Sequence, residues 1–469
     1  MGGQTNMKRT LHPMKKSGLA FVLALSVLTT SSSVYAQETL LLASQGASSS
    51  VATLHSNEYA QFLQTNYQLT FQKQVTQADY LQALTTILAL QQSKESKISI
   101  TDAKAGSTLA QAVPALQEQG IINSTTLKPN ESLATQDAVS YAVRAAGLKE
   151  LAYTYPEAKV KKAFASASLT YKTGQLPIKV AQEIAVAIDT KLLPESIAQT
   201  VIKNQAVSPE IAALLIGKVL EYKGEYKHFL GLTSDEDIYG KVYHSWKTTS
   251  LIKAEELQKI VDEALKQDIV TGYNLKDKRF SPRFDPTLSL TYGHSDITHA
   301  IQLIGLLKSE GLIAKVQLEP KTSAFIYLAE WGQPVITPDY QVVKIDNGKY
   351  IAYSKEYDIS FEFTSVADKE AFDKIIHSYA KKDKEDQSGL IISSWWQPLY
   401  FSMNEMKGYK QITNNYMEKD NYMAQSFSLN DKSAQVVAGF KKIDPKVNIT
   451  SYPFYVDAPF YNYLLGDYK

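Results

Sequence analysis

Apolar residues in the first half of the chain recur every three or four positions, which is the spacing of helices with one buried face. Gly120 and Gly147 follow two of these stretches and are typical of helix ends. Ser208 followed by Pro209 is typical of a helix start. The pattern predicts helices over Tyr80–Leu90, Leu109–Gln119, Ala138–Ala146, Val180–Lys191 and Ile211–Tyr222.

The pattern changes near Leu232, where short alternating runs join further helical stretches. Asp346-Asn347-Gly348 is typical of a hairpin turn, because Asn-Gly tolerates positive φ. Helices are predicted over Lys253–Gln267, Asp296–Glu310 and Lys369–Lys381. Strands are predicted over Ala314–Leu318, Ala324–Leu328, Gln341–Ile345, Tyr350–Tyr353 and Ile359–Phe363.

The first 36 residues have the three parts of a cleavable secretory signal. A basic start precedes the uncharged apolar core Gly18–Leu28, and Val34-Tyr35-Ala36 then places small residues before a cleavage site at Gln37. The core is shorter than the roughly 20 residues that a membrane span needs. We therefore expect a signal peptide over 1–36, a linker over 37–56 and no membrane span after cleavage.

Composition narrows the possible chemistry. The chain has 469 residues and a net charge of +1, so bulk electrostatics does not favour nucleic acid as a partner. It has no cysteine, which excludes thiol catalysis, disulfides and cysteine-ligated metals. The seven histidines lack the spacing of a zinc helix, so neither a metal nor another cofactor is predicted.

The helical half contains a weak internal repeat. Its best copy runs from Ile100-Thr101-Asp102 through the turn Gly120-Ile121-Ile122-Asn123 to Leu133-Ala134-Thr135-Gln136-Asp137. This pattern resembles the S-layer homology module, and fragments beginning at Val75 and Val207 fit the same register. The resemblance covers residues 57–231 and implies an all-α repeat domain that binds a cell-wall polymer.

The motif that carries the resemblance is a helix start. Thr76 and Asp79 can form a reciprocal capping box. The arginine with which the family holds its anionic polymer is absent, and Gln77, Thr135 and Pro209 stand in its place in the three copies. The candidate polymer-binding residues are therefore Thr76, Gln77, Asp79, Thr135 and Asp137, in a docking module whose binding is altered.

A second resemblance begins at Asp296-Ile297-Thr298-His299 and continues to Lys315-Val316. This stretch is similar to the core of a transglutaminase-like domain, with the core at about 250–365 of an α+β domain over 232–469. The family's cysteine nucleophile falls on Ser295 or Asp296, and its histidine base falls on Ser323. The resemblance therefore implies a fold that has lost its catalytic residues.

Two functions remain open. The first is a non-catalytic exported protein of the cell wall or surface layer, with cell-wall polysaccharide or a peptidoglycan-linked polymer, and other surface proteins, as partners. The alternative is an exported hydrolase that cleaves wall peptides through a rebuilt pair, Ser295 and His299; it requires the serine hydroxyl within roughly 3 Å of an imidazole nitrogen. The predicted fold class is α+β multidomain, with the all-α repeats preceding the transglutaminase-like domain.

Overall fold

The computed structural model of the protein describes residues 57–90, 108–122, 127–345, 348–379 and 398–466. His55–Lys469 form one compact unit. The predicted signal peptide and linker lie outside the described residues, as does the start of the best repeat copy. No helix within the described ranges combines the length and the apolar character needed to cross a membrane.

The first part of the described chain is helical. Each predicted helix is confirmed to within a few residues, and shorter helices lie between them. The helices are residues 57–67 (α1), Gln77–Ile87 (α2), Thr108–Glu118 (α3), Thr135–Ala145 (α4), Lys149–Tyr153 (α5), Glu157–Ser166 (α6), Ile178–Asp189 (α7), Glu195–Ile202 (α8) and Pro209–Lys223 (α9).

Local chemistry sets the ends of these helices. Thr76 and Asp79 form the predicted capping box at α2. The Ser208 hydroxyl accepts a hydrogen bond from the Ile211 amide at α9. Gly120 and Gly147 have φ values of +66° and +79°, which glycine adopts without a steric penalty. The predicted starts and stops are therefore confirmed at these positions.

The second part supplies all ten strands of the described chain together with six helices. The strands are Gly231–Leu232 (β1), Gly272–Asp277 (β2), Ser289–His294 (β3), Ala314–Tyr327 (β4), Tyr340–Lys344 (β5), Tyr350–Phe363 (β6), Tyr400–Ser402 (β7), Lys410–Lys419 (β8), Tyr422–Ser428 (β9) and Thr450–Val456 (β10). The helices are Ile238–Lys247 (α10), Glu255–Lys266 (α11), Ile297–Ser309 (α12), Val366–Tyr379 (α13), Ser433–Ile443 (α14) and Ala458–Leu464 (α15).

Eight of the strands close into a ring in which every pairing is antiparallel. The order is β4-β2-β9-β8-β10-β7-β3-β6, and β6 returns to pair with β4. The β4–β6 ladder runs from Ala314 opposite Phe363 to Tyr327 opposite Tyr350. β1 pairs with β4 and β5 pairs with β6, so both are additions to the ring.

The two faces of the ring have opposite character, because successive side chains of a strand point to opposite sides. On β4, Val316 and Leu318 join the apolar core that α10, α12 and α13 complete outside the ring. α11 and α14 cover a second outer region, around Leu275 of β2. The alternate positions of β4 carry polar and charged side chains, and these line the inside of the ring.

The predicted fold class is wrong, although the α+β description stands. The separate all-α S-layer-homology-like domain is not supported, because the helical part belongs to the same compact unit as the closed sheet. Glu58 of α1 pairs at 2.7 Å with Lys227, which lies between α9 and β1, and at 2.5 Å with Lys315 of β4. The region predicted as a transglutaminase-like core contributes β2–β6 to one sheet with β7–β10.

Four strand predictions are also corrected. The predicted strands Ala314–Leu318 and Ala324–Leu328 are parts of the single strand β4, which ends at Tyr327, and the predicted strands Tyr350–Tyr353 and Ile359–Phe363 are parts of β6. Charged residues, among them Glu319 and Lys321, lie between the two apolar runs of β4. They continue the strand because its other face lines a polar interior.

Candidate binding site inside the closed sheet

The ring surrounds a partly open chamber of about 240 Å³. Its wall combines polar and aromatic side chains from all eight strands of the ring with residues of the β2–β3 connection. The polar wall residues include Lys276, Glu319, Ser360, Asn414, Gln425 and Tyr452, and the aromatic ones are Phe284, Phe401, Phe427 and Phe454.

A buried ion network lies at one side of the chamber. Lys276 Nζ is 2.5 Å from Asp358 Oδ2 and 3.7 Å from Glu319 Oε2. Lys321 Nζ is 2.6 Å from the other oxygen of Asp358. Two lysines and two carboxylates therefore balance one another, as buried charges require.

The network shifts the pKa values of its carboxyl groups in opposite directions. Burial alone would raise the pKa of Asp358, but Lys276 and Lys321 outweigh burial and lower it. At Glu319, burial dominates and raises the pKa despite the attraction of Lys276. Asp358 is therefore the firmly ionised partner, and Glu319 is the carboxyl that gains a proton more readily.

Gly293 of β3 makes room for this network. A Cβ atom at this position would lie 2.7 Å from Asp358 Oδ1 and 2.9 Å from Lys321 Nζ. Both distances are too short for a carbon contact, so a side chain here would displace the ion pair. The glycine is thus required by close packing in the interior of the ring.

Asn414 of β8 contributes a polar atom without a partner. Its side chain is buried, and Nδ2 donates to Tyr452 Oη at 2.7 Å, whereas Oδ1 has no hydrogen-bond partner in the described chain. Exchanging the two amide atoms would leave the nitrogen unpaired instead. An unsatisfied buried polar atom costs about 1–3 kcal/mol, so a ligand that pairs with it would recover that free energy.

Aromatic rings form another part of the chamber wall. The ring centroids of Phe427 and Phe454 are 5.3 Å apart, and those of Phe401 and Phe454 are 5.9 Å apart in an edge-on arrangement. Phe460 of α15 packs edge-on against Phe427 at 6.0 Å. These separations are typical of favourable aromatic contacts.

The predicted serine and histidine pair lies outside the ring. Ser295 is exposed between β3 and α12. His294 Nδ1 accepts from the Asp296 amide at 2.9 Å, and His299 Nδ1 is 3.2 Å from Tyr292 Oη. Burial lowers the pKa of His299, with Asp296 acting in the opposite sense. The Nδ1 atoms of both imidazoles are thus bonded to groups other than the Ser295 hydroxyl.

Ser323, at the position of the family's base, lies inside the ring. Its hydroxyl is 2.5 Å from Glu356 Oε2 and 2.7 Å from Asn274 Oδ1. The three side chains are buried and contribute to the polar interior.

The predicted polymer-binding residues have mainly internal partners. The Gln77 amide donates to Tyr141 Oη at 2.9 Å and accepts from the Lys128 amide at 2.9 Å. Thr135 is buried, and its hydroxyl donates to the Thr200 carbonyl at 3.2 Å. Thr76 and Asp79 bond to one another, while Asp137 is exposed on α4. Their polymer-binding role stays a prediction.

Sequence reasoning missed the chamber residues Lys276, Glu319 and Asn414. Alternating polar residues were visible in β4, but such alternation usually indicates a solvent-facing side.

Among the described residues, no group of three or more histidine, aspartate or glutamate side chains is placed to hold a metal ion. No protein-family model, curated protein or solved structure matches the chain.

Proposed function

We propose that the protein is an exported, non-catalytic component of the bacterial cell envelope that binds one sugar unit of a cell-wall polymer in the chamber. The observation that carries the proposal is the unpaired amide atom of Asn414 in a wall that also contains Tyr452 and phenylalanine rings. Hydroxyl groups would pair with the amide, and the apolar face of a sugar ring would pack on the aromatic rings.

Volume and charge restrict the ligand. Ligand pockets for drug-sized molecules span roughly 300–1,000 Å³, so about 240 Å³ suits a single ring or a chain end. The two lysines and two carboxylates beside the chamber pair with one another. A neutral, hydroxyl-rich group therefore fits better than a strongly charged one. The signal-like first 36 residues support exposure to the wall.

The first test is sedimentation of the chain from Gln37 onward with purified wall sacculi, before and after the non-peptidoglycan polymers are stripped. We expect co-sedimentation with at least one preparation, and the difference between them identifies the polymer class. Titration with glucose and N-acetylglucosamine by calorimetry then tests the chamber ligand directly. If the chain binds neither preparation and neither sugar, the proposal is wrong.

A pair of matched variants tests whether the sugar binds in the chamber. Asn414→Leu should weaken sugar binding about tenfold, which corresponds to about 1.4 kcal/mol for one lost hydrogen bond. Thr413→Val is the control, because Thr413 directly precedes Asn414 in β8 and its hydroxyl donates to Asn430 Oδ1 rather than to the chamber residues. Equal binding by the two variants would place the sugar site outside the chamber.

A further inference from the structure

A second, larger cleft of about 930 Å³ shares none of the chamber's lining residues. It lies between α13, the start of α15 and residues 404–409. Its wall includes Val366, Leu399, Met406 and the tyrosines Tyr400 and Tyr409. Apolar and aromatic surface of this kind is typical of small-molecule sites, and charged side chains at α13 and residues 404–409 add to the wall.

Lys369 of α13 lines this cleft and is almost fully buried. Its Nζ donates to Ser402 Oγ at 2.9 Å, to the Thr287 carbonyl at 3.3 Å and to the Pro286 carbonyl at 3.5 Å. All three acceptors are neutral oxygens. A neutral amine has two N–H donors, so the two shorter bonds can use both of them and leave its lone pair available.

Other buried lysines of the protein are held differently. Lys276 and Lys321 each lie within 2.6 Å of an Asp358 oxygen, and Lys227 lies within 2.9 Å of carboxylates of Glu58 and Glu362. Each of these three amines is therefore ion-paired. Among the described residues, Lys369 has no carboxylate within ion-pair distance, so its surroundings favour the neutral amine.

Acidic groups farther from Lys369 partly oppose the lowering of its pKa by burial, but they do not reverse it. Burial lowers the pKa of Lys369 to about 8, although Asp373, Asp285 and Glu370 act to raise it. About a quarter of the amine would then be neutral at a pH of about 7.5, against roughly one part in 800 for an ordinary lysine. The cleft also carries Lys374, Lys407, Glu405 and Asp457.

We propose that Lys369 captures small carbonyl compounds, such as aldehydes, as a reversible covalent imine in this cleft. The nitrogen lone pair attacks the carbonyl carbon, and the carbon–oxygen π electrons move to oxygen. Both amine hydrogens leave with that oxygen as water, and a carbon–nitrogen double bond forms. The step consumes no oxidant or reductant. Desolvated lysines in apolar pockets are suited to this chemistry.

The test traps the imine on the full chain with limiting aldehyde and cyanoborohydride at a pH of about 7.5, followed by peptide mass mapping. The probes are formaldehyde and propanal. We expect Lys369 to be alkylated at least about tenfold faster than the exposed Lys432 and Lys441, with both probes. Lys321 is the control for a buried, ion-paired amine and should react more slowly than either exposed lysine.

A Lys369→Arg variant tests whether the fast alkylation occurs at Lys369, because it keeps a cation on α13 and removes the nucleophilic amine. Its proteolytic map should lack the fast-reacting site and otherwise match the wild type. Alkylation of Lys369 at or below the rate of Lys432 would overturn the proposal. Fast reaction with formaldehyde but not with propanal would overturn the assignment of the cleft as the ligand site.

Discussion

Gly293 shows how one residue limits what the interior of the ring can hold. Gly293→Ala would place a methyl group against Asp358 Oδ1 and Lys321 Nζ. Overpacking costs about 1–3 kcal/mol, and breaking a buried ion pair costs about 3–5 kcal/mol. We expect the free energy of unfolding to fall by about 2–4 kcal/mol, measured by urea denaturation.

Gly305→Ala is the matched control for that substitution. Gly305 lies within α12, and its added Cβ would meet only Tyr239 Oη at the ordinary distance of 3.7 Å. Alanine is favoured over glycine in a helix by about 1 kcal/mol, so this variant should be as stable as the wild type or more stable. Equal losses in both variants would contradict the role assigned to Gly293.

At the scale of elements, Glu58 connects α1 to the sheet. Its carboxylate pairs with Lys227 and Lys315, which also pair with Glu362 of β6. Burial acts to raise the pKa of Glu58, but the two lysines outweigh it and lower the pKa to about 2. A carboxyl with a lowered folded-state pKa stabilises the fold above its unfolded pKa and loses that contribution in acid.

Glu58→Gln removes the carboxylate charge that pairs with Lys227 and Lys315. The wild type should exceed the variant in unfolding free energy by about 1–2 kcal/mol near pH 7, a figure reduced for the partial exposure of Glu58. The difference should shrink as the pH falls from about 4.5 towards 2. Chemical denaturation across this range measures it. A difference that is constant with pH would mean that the ion pairs contribute nothing through the charge of Glu58.

At the scale of the whole molecule, one compact unit predicts one cooperative unfolding transition. Far-UV circular dichroism follows the helices on both sides of Leu232, whereas all four tryptophans lie after Leu232 and follow the second part alone. We expect both signals to give the same midpoint during thermal unfolding. Two separate midpoints would show that the helical part unfolds independently.

A Lys227→Met variant tests whether the ion pairs of Lys227 couple the unfolding of the helical part to that of the sheet. Lys227 joins Glu58 to Glu362, so its loss weakens the connection between the helical part and the sheet. We expect the midpoints from the two signals to move apart in this variant. If they stay together, other contacts maintain the cooperativity.

Local elements were predictable because their signals lie within a few residues. The helical period predicted α2, α4 and α9 to within a few residues, and the reciprocal capping box of Thr76 and Asp79 was predicted correctly. The separate S-layer-homology-like domain was wrong because helical periodicity indicates only which face of a helix is buried. It does not indicate whether the helices form a domain of their own or belong to one compact unit with a sheet.

The closed ring and its site were not predictable by the same means. β2 pairs with β9 through Asn274 and Gln425, which are far apart in the sequence, and no local pattern indicates such a pairing. The polar face of β4, including Glu319 and Lys321, was compatible with solvent exposure until ring closure placed it inside. Asn414 and Lys369 acquire their significance only from the atoms around them.

The strand order also has a consequence for the time course of synthesis. β2 and β3 become neighbours of β9 and β7, so the ring cannot close until the chain has been made as far as Val456 of β10. At about 5–20 residues per second, the interval after β6 ends at Phe363 lasts on the order of 5–20 s. During that interval the β2 and β3 edges lack their later partners and can pair with other chains. A ribosome that stalls between these points would therefore release a chain with a strong tendency to aggregate.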